Sequence, residues 1–323
     1  MIGQEIIQGT APSIEEEASV SFISSILSNS APADLTEVEI DPSGLPAPEP
    51  VMKWVGGKGK LVSMLTSLAP REYGAYFEPF LGGGAFFFSL RPSISSIGDL
   101  NADLINLYSE IRRDPYAVRI AADLLCSSHE GDSYYYRIRE IWNSSRELLS
   151  PVVRAATMIY LNRACFNGLW RENKRGRMNS PVGRRPDGST RPTCPPLASL
   201  ASVSVALRGA AISCADFEAV VAPAKPGDLV YFDPPFIAKT KTSSFKSYGA
   251  GGFTDDDQAR LAACARELAS RGVRVMASNA DVPLARELYA GFRIHEVSCS
   301  YSISASGSSR GNRDEIVACA GWS

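Results

Sequence analysis

From residue 52 onward, short apolar runs alternate with longer stretches of helical spacing. Tyr76-Phe77-Glu78, residues 94–98 and Leu229-Val230-Tyr231-Phe232 are brief and bounded by Gly, Pro or Asp, as buried strands are. Further strands are predicted at 273–277, 292–299 and 314–320, and a helix at 255–270 with Thr254 as its N-cap. The last two strands follow each other with no helix between them, which predicts an antiparallel hairpin at the end of the sheet. Residues 53–58 open the folded body and lead into a helix through Leu68; another helix starts at 85–88. A third begins near Ala102 with Asp103 in its first turn, where the helix dipole favours an acid. Residues 110–170 keep helical periodicity with few breakers, 171–200 are polar and punctuated by Gly and Pro, and β/α alternation resumes after 203–212. The pattern predicts an α/β domain, 51–110 with 201–323, interrupted by a mostly helical insertion at 111–200.

Residues 1–50 have a different texture. They are rich in Ser, Ala, Pro and Glu and end in Leu45-Pro46-Ala47-Pro48-Glu49-Pro50, the composition of an acidic, disordered leader. Within it, residues 14–27 have enough apolar positions for a short amphipathic helix that docks on the body. The net charge of −2 therefore conceals a division. The first 50 residues hold nine acids and no Lys or Arg; the remainder holds 33 basic and 26 acidic residues, a net +7. A basic body suits a polyanionic partner.

Other bulk features narrow the class. No apolar stretch approaches the roughly 18 residues of a membrane span, and no basic n-region precedes an apolar core as in a secretory signal. Seven cysteines without a C-x-x-C pair, and only His129 and His295, argue against a zinc site, a disulfide framework or a His-based triad. The expectation is a cytoplasmic protein that meets no membrane and needs no metal.

Three segments carry chemistry. Gly82-Gly83-Gly84 lies between a strand and a helix, where glycine lets a ligand approach the backbone and a helix N-terminus offers free N–H groups. Asp99 follows Glu78 by 21 residues, at the end of the next strand, the placement of an acid that accepts from ribose hydroxyls. The stretch 163–191 is net +6 in 29 residues, with Phe166 and Trp170 interleaved and Asn162, Asn167, Asn173 and Asn179 nearby. Arg binds phosphate and guanine edges bidentately and Asn suits adenine edges, so a nucleic-acid contact loop is expected. Asp233-Pro234-Pro235-Phe236 follows a strand. Its two prolines stiffen the turn and supply no N–H, leaving a carboxylate, a carbonyl and a flat ring able to hold an exocyclic amine on a planar base.

Together these segments resemble the Dam-type DNA adenine-N6 methyltransferases, the D12 class of the α group. The matching pieces run in order through Lys53-Trp54-Val55-Gly56-Gly57-Lys58, residues 77–84, residues 99–104, residues 161–171 and Asp233-Pro234-Pro235-Phe236. Gly252-Phe253-Thr254, Ser278-Asn279-Ala280-Asp281 and Ser302-Ile303-Ser304 complete the set, so the resemblance spans about residues 52–320. It implies a Rossmann-like methyltransferase sheet ending in an antiparallel hairpin, with a helical DNA-recognition insertion. It implies S-adenosylmethionine as methyl donor, in a pocket of Trp54, Gly56, Lys58, Glu78, Pro79, Phe80, Gly82, Gly84, Asp99 and Leu100. Asp233 would stand between donor and base, and Asp233, Pro234, Pro235 and Phe236 would form the catalytic tetrapeptide. The family swings its target adenine out of duplex DNA, as enzymes that act on a stacked base must.

The DNA contacts expected are Arg163, Asn167, Trp170, Arg171, Asn173, Lys174, Arg175, Arg177, Arg184 and Arg185. Phe236 replaces a tyrosine common in relatives, Tyr301 replaces an arginine, and the segment after Asn173 departs from the GATC-reading pattern. The resemblance also implies a bacterial, phage or mobile-element source, and it leaves open whether a cognate restriction endonuclease accompanies the enzyme. Two other readings stay open: N4-cytosine methylation, which the same amine cradle would serve, and a silent DNA-binding module of the same fold.

Overall fold

A computed structural model describes residues 21–25, 41–173, 175–185, 187–238, 252–300 and 312–322. Seven described strands form one sheet: β1 (Tyr76–Glu78), β2 (Ser95–Gly98), β3 (Ala210–Ser213), β4 (Leu229–Phe232), β5 (Arg274–Ala280), β6 (Arg293–Ser300) and β7 (Asn312–Ala320). Their order is β3-β2-β1-β4-β5-β7-β6. The first five are parallel, while β7 pairs antiparallel with both β5 and β6. The predicted hairpin therefore closes the sheet, with the later strand on the inside.

Alternation along the strands feeds two apolar layers. Tyr76, Tyr231 and Met276 enter one with residues of α1 (Val62–Leu68), α2 (Ala85–Leu90) and α3 (Ala102–Arg113). Phe77, Val230, Phe232, Val275 and Ala277 enter the other with α8 (Phe217–Val221) and α9 (Asp255–Ser270). With both faces covered, all four residues of β4 are buried, which is why it reads as an unbroken apolar run. Phe86 seats edge-on against Tyr231, with ring centroids 4.8 Å apart. The first apolar layer continues into α4 (Pro115–Ser127), α5 (Asp132–Ser145), α6 (Pro151–Ala164) and α7 (Leu197–Leu207).

Local signals set the helix starts. Asn101 Oδ1 accepts from Leu104 N–H, and Asp114 from Ala117 N–H just before Pro115. Thr254 and Asp257 form a reciprocal capping box at α9. Differences from the sequence reading have equally local causes. The helix expected from residue 53 is confined to α1, because 54–57 turn through Gly56 at φ +79°. The strands expected at 273–277 and 314–320 run longer, through their mutual pairing, and the one expected at 292–299 is shifted by one residue. A further helix, α10 (Pro283–Leu288), connects β5 and β6.

Residues 21–25 are helical. Ile23 has no exposure, Phe22 meets Tyr134 with ring centroids 6.2 Å apart, and the Arg137 guanidinium lies 3.4 Å from the Phe22 ring centroid. Among the described residues no helix is long and apolar enough to cross a membrane.

Candidate active site

Strands β2, β1 and β4 are neighbours running in one direction, so their C-terminal ends lie side by side. Asp99, Glu78 and Asp233 thus share one sheet edge. The strand order reverses between β1 and β4, and open α/β sheets form their ligand crevice at such a point. The glycine loop crosses this edge. Gly82 and Gly84 have φ of +49° and +70°, conformations that L side chains rarely adopt, and Gly84 starts α2. Asp99 organises the loop: Oδ2 accepts from Gly82 N–H and Oδ1 from Asn101 N–H, each at 2.9 Å. Trp54 covers it; a Cβ on Gly82 would sit 2.9 Å from the Trp54 ring. Leu100, 67% exposed, leaves an apolar patch beside Asp99.

Asp233 follows β4 and faces Lys58, whose Nζ lies 2.8 Å from Oδ1 and 4.2 Å from the Phe236 ring centroid. Lys58 is only 5% exposed and also donates to Gly56 O at 3.2 Å. Burial raises the pKa of Asp233, opposed by the Lys58 charge. Glu78 is 3% exposed and accepts from Tyr76 O–H at 2.7 Å. Burial pushes its carboxyl up to about 8; the Tyr76 bond opposes this and the charges of Asp233 and Asp99 add to it. Burial also raises Asp99, opposed by the N–H groups of Asn101, Gly82 and Leu100. The arrangement offers a glycine cradle with an ordered acid on one side. On the other, a partly buried carboxylate and an aromatic ring meet at a single buried lysine.

The expected pocket residues Trp54, Gly56, Lys58, Glu78, Gly82, Gly84, Asp99, Leu100 and Asp233 come together at or around this edge. Phe80 turns instead into an aromatic cluster with Phe217, Phe232 and Phe253, with centroids 5.6–6.5 Å away. Residues around the site that the sequence reading gave no role are Tyr76, Gln258 and Asn279. Asn279 stood inside a recognised segment, whereas Gln258 carried no local signal, since its contact with Pro235 O is made only in the fold.

The basic stretch forms an irregular excursion beyond α6, tied by isolated antiparallel bridges Cys165↔Val182 and Glu172↔Met178. Helix α5 holds it: Tyr135 O–H donates to Ser180 O, and Asn143 Oδ1 accepts from Met178 N–H, each at 2.8 Å. Asn173 Oδ1 accepts from the N–H groups of Arg175 and Arg177, closing the loop tip. Arg171, Arg175, Arg184 and Arg185 are exposed, as is Asn167, which has φ +56°. Arg177 pairs with Glu140 and Arg184 with Asp132, while Arg163 donates to Val51 O. Trp170 departs from expectation. It is 5% exposed, stacked on Trp54 and edge-on to Trp142, with Nε1 donating to Glu172, so its ring supports the loop and presents no face to DNA. Lys174 and Ser302-Ile303-Ser304 with Tyr301 lie outside the described residues.

Comparison with known proteins agrees with this geometry. The profile of the D12 class N6 adenine-specific DNA methyltransferases matches residues 54–303. The chain is 40% identical over 273 residues to Type II methyltransferase M1.LlaDCHI of Lactococcus lactis subsp. cremoris, covering 83% of this chain and 94% of that protein. It is 36% identical over 280 residues to Type II methyltransferase M.MjaIII of Methanocaldococcus jannaschii, covering 81% and 95%. It is 35% identical over 269 residues to the DNA adenine methylase of Escherichia coli K12, covering 83% and 93%. With the profile spanning most of the chain and the site on the sheet edge the fold prescribes, this chain belongs to the D12 class of N6 adenine-specific DNA methyltransferases, enzymes that methylate adenine N6 in DNA.

Proposed function

We propose that the crevice at the ends of β2, β1 and β4 methylates N6 of an adenine swung out of duplex DNA, with Asp233 and the Pro234 carbonyl as acceptors for the amine. The observation that carries this reading is the largely buried Asp233 carboxylate, 17% exposed, beside the Phe236 ring, with the buried Lys58 against both. Adenine N6 is a weak nucleophile because its lone pair is delocalised into the ring. Two acceptors facing its hydrogens favour a more tetrahedral nitrogen and free that pair, while Phe236 stacks on the base, a contact worth about 1–3 kcal/mol. Positioning and fixed electrostatics then supply most of the rate. The Lys58 charge opposes the rise that burial imposes on the Asp233 pKa and so favours the carboxylate form.

The family implies S-adenosylmethionine as the donor, and the residues fit it. The glycine loop is a cradle that Cβ atoms would obstruct, Asp99 is fixed for ribose hydroxyls, and Leu100 offers an apolar surface for a purine. When bound there, it supplies the methyl group of its sulfonium. Glu78 holds a proton at neutral pH, so the crevice carries less negative charge than its three carboxylates suggest.

The exposed arginines beyond α6 would meet DNA phosphates and base edges. The family's adenine specificity decides against N4-cytosine methylation. The type II relatives support a companion endonuclease that reads the same site. Sequencing the methylome of a naive host that expresses the chain tests the whole reading: N6-methyladenine at one sequence is expected, and none in any context would refute it. Asp233→Ala should lower methylation about a hundred- to a thousandfold, as loss of a central electrostatic group does, while S-adenosylmethionine still binds by dialysis. Near-parental turnover would remove Asp233 from the mechanism.

A further inference from the structure

The catalytic tetrapeptide lacks the usual means of holding a loop. Pro234 and Pro235 supply no N–H, so no backbone ladder continues past Phe232. Two buried side-chain amides stand in its place. Asn279, on β5 with no exposure, accepts from Ile237 N–H at 3.0 Å through Oδ1 and donates through Nδ2 to Gln258 Oε1 at 2.9 Å. Gln258, 2% exposed in the first turn of α9, donates in turn through Nε2 to Pro235 O at 2.7 Å. The circuit begins and ends on the peptide groups that flank Phe236. Each amide uses its oxygen on one side and its nitrogen on the other, so the orientation of both is fixed by the chain of donors. The anchors are firm. Asn279 Oδ1 also accepts from Ala280 N–H at 2.9 Å, and the capping box locks the turn that carries Gln258.

We propose that Gln258 and Asn279 are positioning residues that set the plane of the Phe236 ring and the direction of the neighbouring acceptors, and that turnover depends on this relay. The inference rests on the adenine-N6 reading above. A ring displaced by about 1 Å can cost a hundredfold in rate without changing how substrates first bind.

Two substitutions of conserved volume cut the relay at different bonds. Gln258→Met removes the donor to Pro235 O. Asn279→Asp still accepts from Ile237 N–H but offers nothing to Gln258 Oε1. In both, kcat on unmethylated genomic DNA should fall about ten- to a hundredfold. KM for DNA and the dissociation constant for S-adenosylmethionine should stay within about twofold of the parent, with a cooperative thermal transition retained. In a Phe236→Ala background, Gln258→Met should cost clearly less than it does alone, because one of the groups it positions is gone. A folded variant with parental kcat would overturn the relay. So would losses that multiply fully with Phe236→Ala, or failure of both variants to fold, since either outcome makes the amides a stability element. An inactive parent would refute the functional reading itself; an active parent with unaffected variants refutes only the relay.

Discussion

Glu78 occupies the middle of three strand ends, and its environment favours the neutral acid. Desolvation is the largest cause, and its carboxyl stands at about 8 against an ordinary 4.5. A folded-state pKa above the unfolded one stabilises the protein fully below the unfolded value. That contribution is lost as pH rises through the folded value. The melting temperature should therefore decline between about pH 5 and pH 9, and Glu78→Gln, neutral at every pH, should flatten that decline; an equal slope in both proteins would count against it. A cationic donor entering the crevice lowers the same pKa, so binding near pH 8, where the carboxyl is half protonated, should expel up to about half a proton. Calorimetry in buffers of different ionisation enthalpy reads this directly. The Gln variant should release none, and a parent that also released none would show that Glu78 does not face the donor.

At the scale of the element, the strand-to-helix turn at 81–84 is the part least tolerant of change. Gly82 combines a left-handed backbone with Trp54 lying where a Cβ would go. Gly82→Ala should cost about 1–2 kcal/mol of stability from the backbone alone. It should also weaken S-adenosylmethionine binding about tenfold or more as Trp54 and the loop part. A melt and an equilibrium dialysis check the two effects, and unchanged binding would place the cofactor elsewhere. This turn was legible in the sequence, as were β1, β4 and α9 with its cap, because strand, breaker and cap are each written in consecutive residues. Asp99 and Asp233 were legible for the same reason: parallel topology carries every strand end to one edge. Tertiary choices were not. Nothing local says that β7 enters the sheet between β5 and β6. Nor does it say that Trp170, in a stretch dense with arginine, turns inward to Trp54, or that two amides from separate elements meet at Pro235.

At the scale of the molecule, charge is divided between the first 50 residues, at −9, and a body of +7. The two are joined by contact as well as by chain. Ile23 is fully buried, and Phe22 packs between Tyr134 and Arg137 of α5, the helix that also holds the arginine-bearing loop through Ser180 and Met178. Glu17 precedes Phe22 by five residues, so a fully extended chain keeps it within about 18 Å of that seat. A carboxylate about 10 Å from a DNA phosphate costs about 0.4 kcal/mol in water before screening. Replacing Glu15, Glu16 and Glu17 together with Gln should then tighten DNA binding severalfold, at most about tenfold, at low ionic strength. The gain should fade as the Debye length shrinks to about 8 Å at 0.15 M salt. Because the triple variant keeps Ile23 seated, its melting temperature should match the parent, separating charge from anchoring. Ile23→Asp removes the seat instead and should lower the melting temperature. Fluorescence anisotropy across a salt series decides the matter: curves that superimpose for parent and triple variant at every salt would mean that the acidic leader exerts no electrostatic control over DNA binding.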